Sequence, residues 1–195
     1  MFNLRSRNTA DMRITFNALF TLLFTLTASL CFVLFQYNQV PHEIFVLPGK
    51  FDLGNPFWYI SLVGYTLGHA SPAHLIGNMS IVLLLGPIVE RRYGTKRLFM
   101  MVSLTGFITA MVHVVFFDHR LLGASGIVFM LIVLSSMVEM KKNEIPFTFV
   151  LIVLIYVGRE VFAAFHEDEV SQFAHIAGGV IGTIFGFWYR SSSRT

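Results

Sequence analysis

Four polar side chains in an apolar chain have the types and spacing of a nucleophile, a base and two hydrogen-bond donors. Ser125 stands in Gly123-Ala124-Ser125-Gly126, and His175 in Ala174-His175-Ile176-Ala177-Gly178. His74 and Asn78 follow His69 in the run His69-x4-His74-x3-Asn78. A serine hydroxyl is a weak nucleophile until a base within hydrogen-bond reach takes its proton. An imidazole, titrating near neutrality, is suited to be that base. A carbonyl attacked by the serine gains negative charge, which Asn78, His74 and the Ser125 N–H at a helix start could stabilise. No acid is placed to complete a triad, because Asp11, Asp52, Asp118 and Asp168 all fall outside the apolar stretches. The expectation is therefore a Ser125–His175 dyad. The same census leaves no pair of intramembrane aspartates for an aspartyl protease and no His-Glu-x-x-His zinc motif. Cys31 is the single cysteine, which excludes a disulfide framework and a cysteine-based zinc site.

The elements that must position these groups are membrane spans. Hydrophobic residues make up 55% and charged residues 13% of the 195, about half the charge of an average soluble domain, and mean hydropathy is +0.68. Too little charge is present to cover a water-facing surface. Six stretches approach the roughly 20 apolar residues that a crossing needs: Ile14–Tyr37, Ser71–Glu90, Lys96–Phe117, Gly123–Met140, Ile145–Phe165 and Val170–Tyr189. The fold class expected is an all-α, six-transmembrane-helix bundle. It comprises a cytoplasmic segment 1–13, a membrane domain 14–190 and a tail 191–195. The first stretch is too long for a signal-peptide core and is taken as a retained helix. Val40–Gly68 is expected to be a long loop with interfacial pieces, its Trp58, Tyr59 and Tyr65 at headgroup level.

Basic residues fix the expected orientation. Arg5, Arg7, Arg13, Arg91, Arg92, Lys96, Arg97, Lys141, Lys142, Arg190 and Arg194 sort to one side, 11 of the 14 Lys and Arg. Only Lys50, Arg120 and Arg159 remain for the other side, with most of the acids. The positive-inside rule then places both termini in the cytoplasm. The net charge of +3 is a topology signal; no basic patch interleaved with stacking aromatics points to nucleic acid. At about 1.5 Å per residue, the helix from the first cytoplasmic charge to His74, Ser125, His175 and Asn78 measures about 26, 24, 22 and 20 Å. With a hydrocarbon core about 30 Å thick, all four sit at one level below the outer surface.

These three motifs, in order and each at the outer start of an even-numbered span, resemble the rhomboid intramembrane serine proteases, most closely the bacterial six-helix form. The glycines Gly178 and Gly182 complete the third motif, and Glu90-Arg91-Arg92 resembles the family's Glu-x-Arg element. The resemblance implies Ser125 as nucleophile and His175 as general base and acid. It implies oxyanion or substrate contacts from His74, Asn78 and Gly123, and a site-shaping role for His69. Phe129 stands where the family often has a tyrosine packed on the catalytic histidine. Gly178 and Gly182 would bring the sixth span close to the fourth, as small residues at this spacing do. The family uses no cofactor or metal and cuts transmembrane or membrane-adjacent segments of other proteins in the bilayer. The implied location is a bacterial inner membrane. The Trp-Arg pair common in the family's first loop is replaced by Ile60-Ser61.

Blander roles stand beside these. Ser125 could merely cap its helix. His175 could be a buried histidine bonded to a neighbour, and Gly178 and Gly182 serve packing first. His42, His113, His119 and His166 suggest structure only. A rhomboid-like binder without catalysis is the rival function; a small transporter lined by His and Asn is the next.

Overall fold

The computed structural model describes residues 16–37, 40–138, 144–163 and 169–192. Among the described residues it is helical, with eight α-helices and no strand. α1 (Leu19–Gln36) is followed by two short pieces, α2 (His42–Phe45) and α3 (Pro56–Gly64), and a 3-10 turn at Tyr65–Leu67. Then come α4 (Pro72–Tyr93), α5 (Thr95–Phe116), α6 (Ser125–Met137), α7 (Phe147–Ala163) and α8 (Glu169–Ser192). The six longer apolar helices α1 and α4–α8 coincide with the six expected spans. α1, α4 and α5 are each long and apolar enough to cross a bilayer.

α6 is short, 13 residues against the 18 or so expected. Its start is fixed by Gly123, whose φ of +122° belongs to no helix and suits only glycine. It is also the central helix. Nine of its residues are buried, and none appears among the large apolar side chains left exposed. Those exposed residues, such as Leu26, Leu30, Leu84, Phe99, Leu154 and Trp188, lie on the surrounding helices. In water such a surface would aggregate; against acyl chains it is the natural exterior. The core around α6 joins Val82 and Val89 of α4, Leu98 and Met101 of α5, and Ile127, Met130 and Leu134 of α6 itself.

Local signals set the helix ends. Ser71 caps α4 by accepting from the His74 N–H, with Pro72 in the first turn. Gly94, at φ +87°, ends it. Asn55 caps α3, accepting from the Phe57 N–H ahead of Pro56. The expectation for the first loop needs correction at two of its three aromatics. Trp58 and Tyr65 are 4% and 3% exposed, inside a second core with Leu47, Leu62, Ala110 and Ala174. Burial is possible because their polar tips are satisfied: the Trp58 indole donates to the Lys50 carbonyl, and the Tyr65 hydroxyl to that of Gly106. Tyr59 alone is exposed.

The loop is therefore scaffold. Leu47 and Leu121 exchange two backbone hydrogen bonds of 2.9 Å, and the Gly123 N–H donates to the Tyr65 carbonyl at 2.9 Å. The segment leading into Ser125 is tied at both points to the first loop.

Candidate active site

Among the described residues the helix pair α6 and α8 makes the most extensive contact, and glycine is the reason. A Cβ at Gly178 would fall on the Gly126 carbonyl, and one at Gly182 would come within 2.9 Å of the Met130 carbonyl oxygen. A Cβ at Gly126 would lie 3.0 Å from the Ala174 carbonyl oxygen. The backbones thus meet without side chains between them. Gly126 follows Ser125, and Ala174 precedes His175, so the two flank the same crossing. One turn along α6, the Phe129 ring lies face to face with the His175 imidazole, centroids 4.2 Å apart and planes 6° from parallel. Ser125 and His175 are both half-buried.

Ser125 is the first residue of α6, not its cap. The cap position belongs to Ala124, which offers no side-chain hydrogen bond. The hydroxyl is therefore not committed to the capping role considered for it.

The third wall comes from α4 and the residues before it. His69 is fully buried. Its Nδ1 lies 3.2 Å from the Leu67 carbonyl oxygen. A carbonyl only accepts, so Nδ1 carries the proton. Burial pushes this imidazole down to about 4, so at neutral pH it is uncharged. Nε2 is then a lone pair, and it accepts from the Asn78 amide at 3.1 Å. The tautomer thereby orients the Asn78 side chain, which has one further N–H to offer. His74 packs edge-on against His69, centroids 5.0 Å apart.

Gly123 closes the arrangement. A Cβ there would sit 2.7 and 2.8 Å from Cε1 and Nε2 of His74 and 3.9 Å from the Asn78 amide nitrogen. The positive φ and the crowding both require glycine. His74 and Asn78 are thus gathered over the backbone two residues before Ser125. All nine candidate residues, His69, His74, Asn78, Gly123, Ser125, Phe129, His175, Gly178 and Gly182, lie in this one region where α4, α6 and α8 meet. No group of three or more His, Cys, Asp or Glu suited to a metal occurs among the described residues.

Sequence reasoning missed the supports. The Leu67 and Tyr65 carbonyls that hold His69 and Gly123 have no side-chain signature. Glu90, noted only for its motif, is 3% exposed. It accepts from the N–H groups of Phe20 and Thr21 in the first turn of α1, and from the Thr21 and Thr95 hydroxyls, at 2.7–2.9 Å. Arg92 donates to the Val138 carbonyl at the end of α6. These contacts fasten the ends of α1, α4, α5 and α6 opposite the site. His113, also fully buried, bonds the His119 carbonyl through Nε2. His166 lies outside the described residues.

The rhomboid protease GlpG of Haemophilus influenzae is 25% identical over 168 residues, covering 82% of this chain and 86% of that protein. Rhomboid-related protein 1 of Caenorhabditis elegans is 29% identical over 80% of this chain and 46% of its own length. RHOMBOID-like protein 4 of Arabidopsis thaliana is 31% identical over 61% of this chain and 31% of its own. A family model described as the rhomboid domain matches residues 56–192, from the first turn of α3 to the end of α8, and with that span of the chain accounted for, the protein belongs to the rhomboid family.

Proposed function

We propose that this protein is an intramembrane serine endopeptidase that cuts transmembrane or membrane-adjacent segments of other membrane proteins with a Ser125–His175 dyad. The observation that carries the reading is the glycine-mediated crossing of α6 and α8. It sets the backbone after Ser125 against the backbone before His175, with Phe129 stacked on the imidazole.

His175 takes the Ser125 proton as Oγ attacks the scissile carbonyl. The resulting oxyanion receives hydrogen bonds from the free N–H of Asn78, from His74 and from the Ser125 N–H at the start of α6. His175 then gives its proton to the leaving amine, and the acyl group stays on Ser125. Water, deprotonated by His175, releases it. The Phe129 ring stacked on the imidazole helps to hold it, and Gly123 keeps the oxyanion space open. The substrate enters from the side and unwinds locally, because a peptide bond inside a helix is committed to its own hydrogen bonds. Both termini face the cytoplasm of a bacterial cell, so the site faces outward.

The test is incubation of purified protein in vesicles with several fluorescent transmembrane substrates. Cleavage by the wild type and none by Ser125→Ala supports the reading. Binding without cleavage by the wild type favours the non-catalytic binder.

A further inference from the structure

Apart from Ser125 and His175, a hollow lies between the first loop, the end of α1 and the loop before α6. A cavity of about 320 Å³ is walled by Phe35, Glu43, Asp52, Trp58 and Arg120, among others. This is within the range of small-ligand sites, about 300–1,000 Å³. Glu43, Asp52 and Arg120 are exposed. Although charges of both signs line one cavity, no ion pair joins Arg120 to Glu43 or Asp52 among the described residues. Opposite charges held apart around a hollow match a ligand that carries both signs. The guanidinium suits a phosphate, and the two carboxylates suit an ammonium.

The location says where such a ligand comes from. Phe35 is the penultimate residue of α1. That helix leaves Leu26, Leu30 and Val33 exposed along the way to it, a surface for acyl chains. Trp58 is anchored from inside, its indole bonded to the Lys50 carbonyl, so one wall is rigid.

We propose that this cavity binds the headgroup of a zwitterionic phospholipid, its phosphate on Arg120 and its ammonium between Glu43 and Asp52, with the acyl chains along the end of α1. Trp58 and Trp188 are the two tryptophans of the chain, so Trp58 reports alone in a Trp188→Phe protein. In nonionic detergent, dihexanoyl-phosphatidylethanolamine should shift Trp58 emission saturably. Dihexanoyl-phosphatidylglycerol, with the phosphate but no ammonium, should bind about tenfold more weakly. Glycerophosphoethanolamine, the headgroup without chains, should not saturate. Arg120→Gln should weaken both lipids, whereas Arg120→Lys should keep the preference. The double variant Glu43→Gln with Asp52→Asn should bind the two lipids equally. All four side chains are exposed, and unchanged helical circular dichroism checks the fold of each variant. Equal affinity of wild type for the two lipids, or a preference that survives loss of both carboxylates, overturns the proposal. Saturation by the chain-free headgroup at the same concentration assigns the site to a soluble zwitterion and overturns the lipid.

Discussion

At the scale of single residues, the proposed chemistry depends on which proton sits where. His69 shows why. Its Nδ1–H is spent on the Leu67 carbonyl, so its Nε2 can only accept, and Asn78 must point an N–H at it. Asn78→Ala removes one proposed oxyanion donor and should lower kcat by about 10²–10³. His69→Phe should approach the same loss, because the amide is no longer aimed; KM should move less than kcat in both. The histidine also makes stability pH-dependent. Its ordinary value near 6.5 in the unfolded chain falls to about 4 in the fold, so the unfolded state binds more protons between those values. The contribution is whole above about pH 6.5 and is lost as pH falls through about 4. A His69→Gln protein should show a flatter melting temperature over that window; an unchanged slope would contradict the assignment.

The helices make their own predictions. Two neighbouring glycines of α8 face different surroundings. At Gly178 a methyl meets the Gly126 backbone, whereas at Gly179 the nearest atom is Val133 Cγ2 at 3.9 Å. Gly178→Ala should destabilise by about 1–3 kcal/mol as overpacking does and should abolish activity by moving His175 from Ser125. Gly179→Ala should be tolerated in both respects. Equal effects of the two would mean that the crossing is not what positions the dyad. At the opposite end, the Glu90 carboxylate supplies the acceptors that the first turn of α1 lacks. Glu90→Gln replaces one oxygen by a donor facing donors, and should cost about 2 kcal/mol or more. Unfolding in mixed micelles measures it. Cleavage per folded molecule should survive, since Glu90 lies far along α4 from His74.

Over the whole molecule, the six apolar helices and the motif residues could be read from the chain, because span length and intramembrane polarity are strong physical constraints. Ser125, His175, His74 and Asn78 were recognisable as isolated polar groups at one depth, and Gly178 and Gly182 as a close-approach pair. What stayed hidden rests on backbone. The tie from Tyr65 to Gly123 and the brace from Leu67 to His69 involve carbonyls, which every residue has. The first loop misled for a related reason: Trp58 and Tyr65 have the amphipathic form of interfacial residues, but nearby carbonyls satisfy their tips and permit burial. The shortness of α6 is likewise a backbone effect, set by the conformation of Gly123. The proposed orientation rests on the sorted charges, so a cysteine at Lys50 should react with an impermeant thiol reagent in intact cells, in a Cys31→Ala background. Protection until lysis would reverse the topology.

The central claim is that the Ser125 hydroxyl is activated by His175. Labelling by a fluorophosphonate probe reads that activation at the atom itself, without a substrate. The wild-type protein should be labelled at Ser125, Ser125→Ala should not be labelled, and His175→Ala should lose the label while remaining folded. Labelling of the His175→Ala protein at the wild-type rate would contradict the account.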